Sequence, residues 1–203
     1  MIVNFGCGAS FAPSHSGYMN IDGSLTILLA RLPLPATAFG SRADFVRVLR
    51  ANHVRYGTAR GLKLPEGSLD GFYASHVLEH LSRRDCENLL LRVRRWLKPS
   101  GVLRVVLPDL KRSAKSYVEG TTDASRFVAS TYLAEDGLRW WETLFGHIQH
   151  RWMYDAASLS QLLERLGFRE IQECEMNQGR LPALNCLDIP SRQAESFYVE
   201  ACK

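Results

Sequence analysis

Thr58-Ala59-Arg60-Gly61-Leu62-Lys63-Leu64-Pro65-Glu66-Gly67-Ser68-Leu69-Asp70-Gly71-Phe72-Tyr73-Ala74-Ser75-His76-Val77-Leu78-Glu79-His80-Leu81 is the stretch on which the fold turns. Residues 69–74 form a short, mostly apolar run after a Pro- and Gly-bearing turn, the pattern of a buried strand. Ser75 and His76 stand at its mouth. Ser82 then supplies a helix N-cap with Asp85 three residues on, and Leu89, Leu90, Val93, Trp96 and Leu97 recur at helical spacing. Pro99-Ser100-Gly101 stops that helix and leads into a further strand at 102–107. Strand, helix and strand in this order predict a parallel pair.

The same alternation extends in both directions. Upstream, Ile2-Val3-Asn4-Phe5 reads as a first strand and Tyr18-Met19-Asn20-Ile21 as a second, ending at Asp22. A helix is expected over 24–31, stopped by Pro33 and Pro35, and another over 44–49, followed by a third strand at 53–56. Downstream, Asp155 caps a helix running to Leu166 and Gly167 terminates it. Strands at 168–176 and 196–201 complete the set. No repeat and no low-complexity linker interrupts the chain. The expectation is therefore an α/β, Rossmann-like sheet with helices on both faces, in one domain over 1–203, with 111–154 as an insertion between the fifth strand and the Asp155 helix.

The chemistry begins at Gly6-Cys7-Gly8, directly after the first strand. Glycines there let a ligand approach the backbone at the carboxyl end of a parallel strand, where open α/β sheets bind ligands. A dinucleotide fingerprint needs a third glycine at position 11, which is Phe11, and no G-K-S or G-K-T marks a P-loop. Asp22, followed by Gly23, ends the second strand, where an acid can accept both ribose hydroxyls of a nucleoside; a turn or cap aspartate is the other reading.

With the glycine loop and acid in place, the opening stretch resembles the "D-A-x-x-L-P-F…S-x-H-V-L-E-H-L" signature of class I S-adenosylmethionine (SAM)-dependent methyltransferases of the "type 11" group. Leu97-Lys98-Pro99-Ser100-Gly101-Val102-Leu103 is similar to that group's "L-K-P-G-G-x-L" turn, and Leu163-Glu164-Arg165-Leu166-Gly167-Phe168 to its "L-x-x-A-G-F" unit. The likeness is nearest to a compact bacterial subgroup often linked to surface-glycan biosynthesis, in which few residues separate the glycine loop from the second strand. The resemblance implies seven strands in the order 3-2-1-4-5-7-6 with the seventh antiparallel. It implies SAM as cofactor, S-adenosylhomocysteine as product and no metal.

By the same resemblance Asn4, Gly6, Cys7 and Gly8 would face the methionine part of SAM. Asp22 and Gly23 would hold the ribose, Thr58 and Ala59 would border the adenine with Leu62 packed near it, and Ser75 and His76 would line the reactive side. Three positions depart from the pattern. Asn4 replaces an acid that would face the methionine ammonium, Ser10 replaces a third glycine, and Thr58 replaces an aspartate, offering a neutral and weaker partner to the adenine amino group.

The expected reaction is methyl transfer to a sugar or other small polar acceptor, at oxygen. Placement in near-attack geometry can supply much of the rate, and a hydroxyl acceptor gains from a general base, for which histidine is the natural candidate. His76 stands either as that base or as a packing group. His147 and His150 are further catalytic candidates, in a segment with Trp140, Trp141 and Trp152 that suits a ring substrate or, alternatively, a satellite apolar cluster. The first strand begins at Ile2, so no lid ahead of it is expected. Residues 111–154 are then the candidate substrate wall, with a second copy of the chain as a candidate to complete it.

The 203 residues carry 46% hydrophobic and 23% charged side chains and a net charge of +4, ordinary for a globular protein. The arginines are scattered, which reads as solvated helix faces and speaks against a nucleic-acid footprint. Five cysteines, odd in number and without a C-x-x-C pair, suggest neither a zinc knuckle nor a disulfide framework and fit a reducing, cytoplasmic setting. No basic stretch followed by an apolar run marks a leader, and no apolar run is long enough to span a membrane. Two rival readings remain at this point: a non-catalytic protein that binds SAM or a nucleoside as a partner subunit, motivated by the three departures, and an RNA methyltransferase, motivated by the basic balance.

Overall fold

The computed structural model describes residues 1–8, 10–12, 17–131 and 149–203. Its centre is β1 (Ile2–Phe5), whose four residues are all buried, as expected of a strand covered on both faces. β1 pairs in parallel with β2 (Tyr18–Asp22), Phe5 opposite Ile21, and on its other side with β4 (Leu69–Ser75), Phe5 opposite Ala74. β3 (Arg55–Tyr56) lies outside β2, also parallel. β5 (Leu97–Pro108) runs parallel to β4, while β7 (Ser196–Cys202) is antiparallel to both β5 and β6 (Arg169–Cys174). The order is β3-β2-β1-β4-β5-β7-β6, the order and the antiparallel strand that the sequence resemblance implies.

Three boundaries differ from the sequence expectation. The third strand keeps only Arg55 and Tyr56, because His53 adopts φ +48° and closes the preceding helix α2 (Ala43–Ala51). The His53 amide donates to the Arg50 carbonyl and that of Val54 to Leu49, a left-handed helix stop. The long helix α3 (Arg83–Trp96) ends one residue earlier than its apolar pattern suggests. Leu97 is already extended and opposite Leu69, and the register then jumps to Val102 opposite Gly71. Pro99 disfavours helical backbone at Lys98, which steepens the exit. The sixth strand is confined to 169–174.

Other start and stop signals act as read. Ser82 accepts a hydrogen bond from the Asp85 amide. Asp155 forms a reciprocal capping box with Ser158 at the head of α6 (Ala156–Arg165), and Gly167 follows that helix at φ +84°. Helices α3 and α6 cover one face of the sheet: Leu89, Leu90, Val93, Leu159 and Leu163 pack on Phe5, Phe72, Leu103 and Val105. On the other face Ile2, Tyr73, Val106 and Tyr198 meet Leu184 and Leu187, in and just after the short helix α7 (Pro182–Asn185). A third cluster joins α1 (Leu25–Ala30) and α2 through Ile27, Ala30, Val46 and Leu49, with Cys7 against it.

Arg104 of β5 is fully buried. Its guanidinium donates to Asp188 at 3.0 Å, to Glu200 of β7 at 2.9 Å, and to the carbonyls of Gln178 and Glu175 at 2.8 and 3.1 Å. Asp188 also accepts from the Asn177 amide and Glu200 from the Arg180 amide. This network ties the 175–190 segment to the sheet. Breaking a buried pair by removing one partner leaves uncompensated charge and costs about 3–5 kcal/mol. Arg104→Met should therefore lower stability in urea unfolding by about that amount, far more than Arg47→Met on the exposed face of α2.

Beyond β5, Asp109 caps α4 (Leu110–Val118), which is followed by α5 (Ala124–Thr131). The chain is described again from Gln149. Tyr154 makes a parallel bridge with Asp109 and accepts the Leu110 amide, while the Arg151 and Trp152 amides both donate to the Glu79 carbonyl. Both described ends of the insertion thus sit at the carboxyl ends of β4 and β5. His147, Trp140 and Trp141 lie outside the described residues.

Candidate active site

The parallel pairing of β1, β2 and β4 brings three loops to one edge. After β1, the Gly6 and Cys7 amides donate to the Ile21 carbonyl. Gly6 has φ +68°, and a Cβ there would lie 2.3 Å from Val77 Cγ2. Glycine is thus required twice over, by the left-handed backbone and by the close approach of the β4 mouth. Gly8, at φ +51°, faces open space.

Asp22 ends β2 with its carboxylate held from both sides. Oδ2 accepts the Gly8 amide at 2.9 Å and Oδ1 accepts the Ser24 amide at 2.8 Å. Each oxygen keeps a further lone pair for another donor. Gly23 lies against Gly57 and Thr58, and the Gly57 amide donates to the Asp22 carbonyl, so the loop after β3 adjoins the acid. Within it Thr58 Oγ1 accepts the Gly61 amide at 3.0 Å, Ala59 and Leu62 turn into the core, and Arg92 of α3 donates to the carbonyls of Ala59, Arg60 and Leu62.

Asn4 is buried below the glycine loop rather than at its open side. Its amide donates to the Ser10 carbonyl at 2.8 Å and to Asn20 Oδ1 at 3.0 Å, and Asn20 in turn bonds both backbone groups of Ala12. The two asparagines brace the loop from beneath. Cys7 is also buried, and its thiol is pushed up to about 12, first by burial and then by the Asp22 charge. It is a neutral packing group, not a nucleophile.

At the mouth of β4, Arg192 reaches from the 3₁₀ turn Pro190–Arg192 to bond the Ser75 carbonyl at 3.2 Å and hydroxyl at 3.0 Å. His76 takes φ +54°, continues the ladder to the Val106 carbonyl, and shares a 2.8 Å hydrogen bond between Nε2 and Ser196 Oγ. Burial, followed by the Arg192 charge and the His150 and His80 rings, holds it down to about 3. A general base works best near operating pH, so this environment favours the packing and orienting role for His76. Glu79 is 1% exposed, and burial raises its carboxyl to about 8, its own amide and the Arg192 charge pulling the other way. His150 is buried beside it and held down to about 4 by burial and by His80.

The sequence-predicted residues Gly6, Gly8, Asp22, Gly23, Thr58, Ser75 and His76 therefore share one edge, whereas Ala59 and Leu62 support it from the core. Two surface hollows of about 400 and 600 Å³ flank this edge rather than coincide with it, the first lined by Arg112, Tyr198 and the His76 partner Ser196, the second between α1 and His53. Arg192 escapes sequence reading because it acts across 117 positions, and Glu79, which the sequence offers with His80 only as a group orienting the turn after β4, is 1% exposed.

Known proteins agree with this architecture. A family described as a methyltransferase domain matches residues 22–173, and the chain belongs to it, as a class I SAM-dependent methyltransferase. No curated protein matches the sequence. Among solved structures, one from Methanosarcina mazei, described as a SAM-dependent methyltransferase, aligns with 100% of this chain and 91% of its own, at TM-score 0.55 and 17% identity. A SAM-dependent methyltransferase from Archaeoglobus fulgidus aligns over 100% and 85%, at 0.54 and 16%. A Pyrococcus horikoshii protein aligns over 99% and 80%, at 0.56 and 14%. These likenesses establish the shared fold.

Two outcomes follow from the loop. Gly6→Ala should cost about 1–3 kcal/mol, the range for overpacking, and Val77→Ala in the same chain should recover part of it, read as a coupling in a urea double-mutant cycle. At pH 8, iodoacetamide should label the exposed Cys186 well before Cys7 in the folded protein.

Proposed function

We propose that SAM binds along the edge formed by Gly6–Gly8, Asp22–Gly23 and Thr58, and that its methyl group passes to an oxygen of a sugar or other small polar acceptor on the His76 side. The observation that carries this reading is Asp22. Two backbone amides, one from the glycine loop itself, fix its carboxylate at the end of β2, so a ribose diol meets a pre-oriented acceptor beside the loop that takes the amino-acid end. Gly8 leaves open space there, and the family to which the chain belongs uses this cofactor.

In the transfer, an acceptor-oxygen lone pair attacks the methyl carbon in line. SAM held there would supply an activated methyl group and leave as the neutral thioether S-adenosylhomocysteine, while the acceptor proton would pass to solvent or a bound base. The protein's share is mainly placement. Arg83 stacks over the partly exposed Trp152 ring at 4.7 Å, and an aromatic and cationic rim of this kind suits a polar ring. The five free cysteines accord with a reducing compartment, and no described helix is long and apolar enough to cross a membrane.

Calorimetry with SAM and S-adenosylhomocysteine tests the reading. Both should bind the wild-type protein, and Asp22→Ala should weaken binding by about 1.5–3 kcal/mol, the range for hydrogen bonds to a charged group. Unchanged affinity in that variant, or no heat from either ligand at millimolar concentration, would refute the assignment.

A further inference from the structure

Glu79 presents a problem in electrostatics. Its side chain is 1% exposed, yet among the described residues neither carboxylate oxygen has a hydrogen-bond donor and no lysine or arginine forms an ion pair with it. Burying a carboxylate in that way is costly unless something compensates it. What surrounds it is imidazole. His76 Nδ1 lies 3.8 Å, His80 Nε2 3.9 Å and His150 Nε2 4.0 Å from the single atom Glu79 Oε1. These distances exceed hydrogen bonds.

From these contacts the geometry points to a divalent transition-metal site formed by Glu79, His80 and His150. Their ligand atoms all lie within 4.8 Å of one another. Two imidazoles and one carboxylate are the donor set of three-ligand zinc sites and of open iron(II) sites, which leave at least one coordination position free. Bonds of about 2.1 Å in tetrahedral geometry place ligand atoms about 3.4 Å apart, so the two Glu79–histidine spacings need to contract by about half an ångström around an ion, and the remaining spacing by no more than about 1.4 Å.

Two further details fit. His80 Nδ1 lies 3.2 Å from the Gln149 carbonyl. A carbonyl only accepts, so this nitrogen carries the proton and Nε2 turns its lone pair toward Glu79. Metal-binding histidines are commonly oriented by such a hydrogen bond on the other ring nitrogen. The backbone is braced as well: the Arg151 and Trp152 amides hold the Glu79 carbonyl at 2.6 and 3.1 Å, bringing His150 back to the turn that carries Glu79 and His80. The ligands thus come from both ends of the acceptor side.

An ion there would have a function that rests on the methyl-transfer reading. Bound beside His76 at the mouth of β4, it could take the acceptor hydroxyl in a free coordination position and lower that group's pKa as a Lewis acid. This would supply the activation that the buried His76 is poorly suited to provide, and it selects hydroxyl acceptors.

The test uses the whole chain, stripped with a chelator and then titrated with Zn²⁺, Mn²⁺ and Co²⁺. One equivalent of metal per chain after dialysis, with visible Co²⁺ bands, is the expected result. His150→Ala and Glu79→Gln, each verified as folded by circular dichroism, should weaken binding at least tenfold, while His53→Ala should leave it unchanged. No retained metal and no Co²⁺ spectrum, or binding that survives in both variants, overturns the site. SAM calorimetry on the stripped protein is read separately: SAM binding without metal binding sinks this inference alone, whereas metal binding without SAM binding sinks the cofactor reading and leaves the site standing. If methyl transfer to a panel of hydroxyl acceptors proceeds at full rate after chelation, the Lewis-acid role is overturned.

Discussion

Strand β1 is short, buried on both faces and paired in parallel on both sides, so Phe5, Ile21 and Ala74 reach the same edge of the sheet together. Whatever follows each of them in the sequence is delivered to that edge: the glycine loop, Asp22 and the Ser75–His80 turn. Parallel pairing requires crossover connections, supplied by α1 and α2 between β2 and β3 and by α3 between β4 and β5, while the segment after β1 is short. The site is thus a by-product of register. A slip of one residue in β1 would turn its inward-facing side chains to the opposite face and carry the glycine loop away from Asp22.

Two buried ionisable groups show how differently such a sheet can treat them. Arg104 is surrounded by two carboxylates and two carbonyls, each within hydrogen-bond distance, and serves to fasten the 175–190 segment. Glu79 has comparable burial and none of that compensation among the described residues. Where polar satisfaction is complete, the simplest account is architecture. Where it is incomplete, function is the better place to look for the reason.

Much of this was readable from sequence wherever the signal is local. Ser82, Asp155 and Gly167 act within one turn of themselves, and the apolar runs of β1, β2, β4 and β5 bury side chains against whichever neighbours arrive. The seven-strand order came from resemblance rather than from pattern. What stayed hidden depends on long-range proximity. Arg104 sits in an apolar strand and its partners lie 84 and 96 positions away, and Glu79 acquires its third histidine neighbour only when the chain returns at residue 150. His53 was misread because β-propensity of the run 53–56 competes with a helix stop that needs only one left-handed residue. Asn4 looked like a substitute ligand, but its amide finds Asn20 on the neighbouring strand first.

The Asp109–Tyr154 bridge has an evolutionary corollary. It joins the two ends of the segment 110–153 directly beside the sheet, so that segment is a closed loop with its stem already tied. The entropy of closing such a loop grows only with the logarithm of its length, about 0.6 kcal/mol for each doubling. Insertions, deletions or wholesale replacement between those two residues can therefore accumulate at small thermodynamic cost, leaving the glycine loop and its acid untouched. The sheet then serves as a chassis for an exchangeable cassette, and selection can act on the cassette alone.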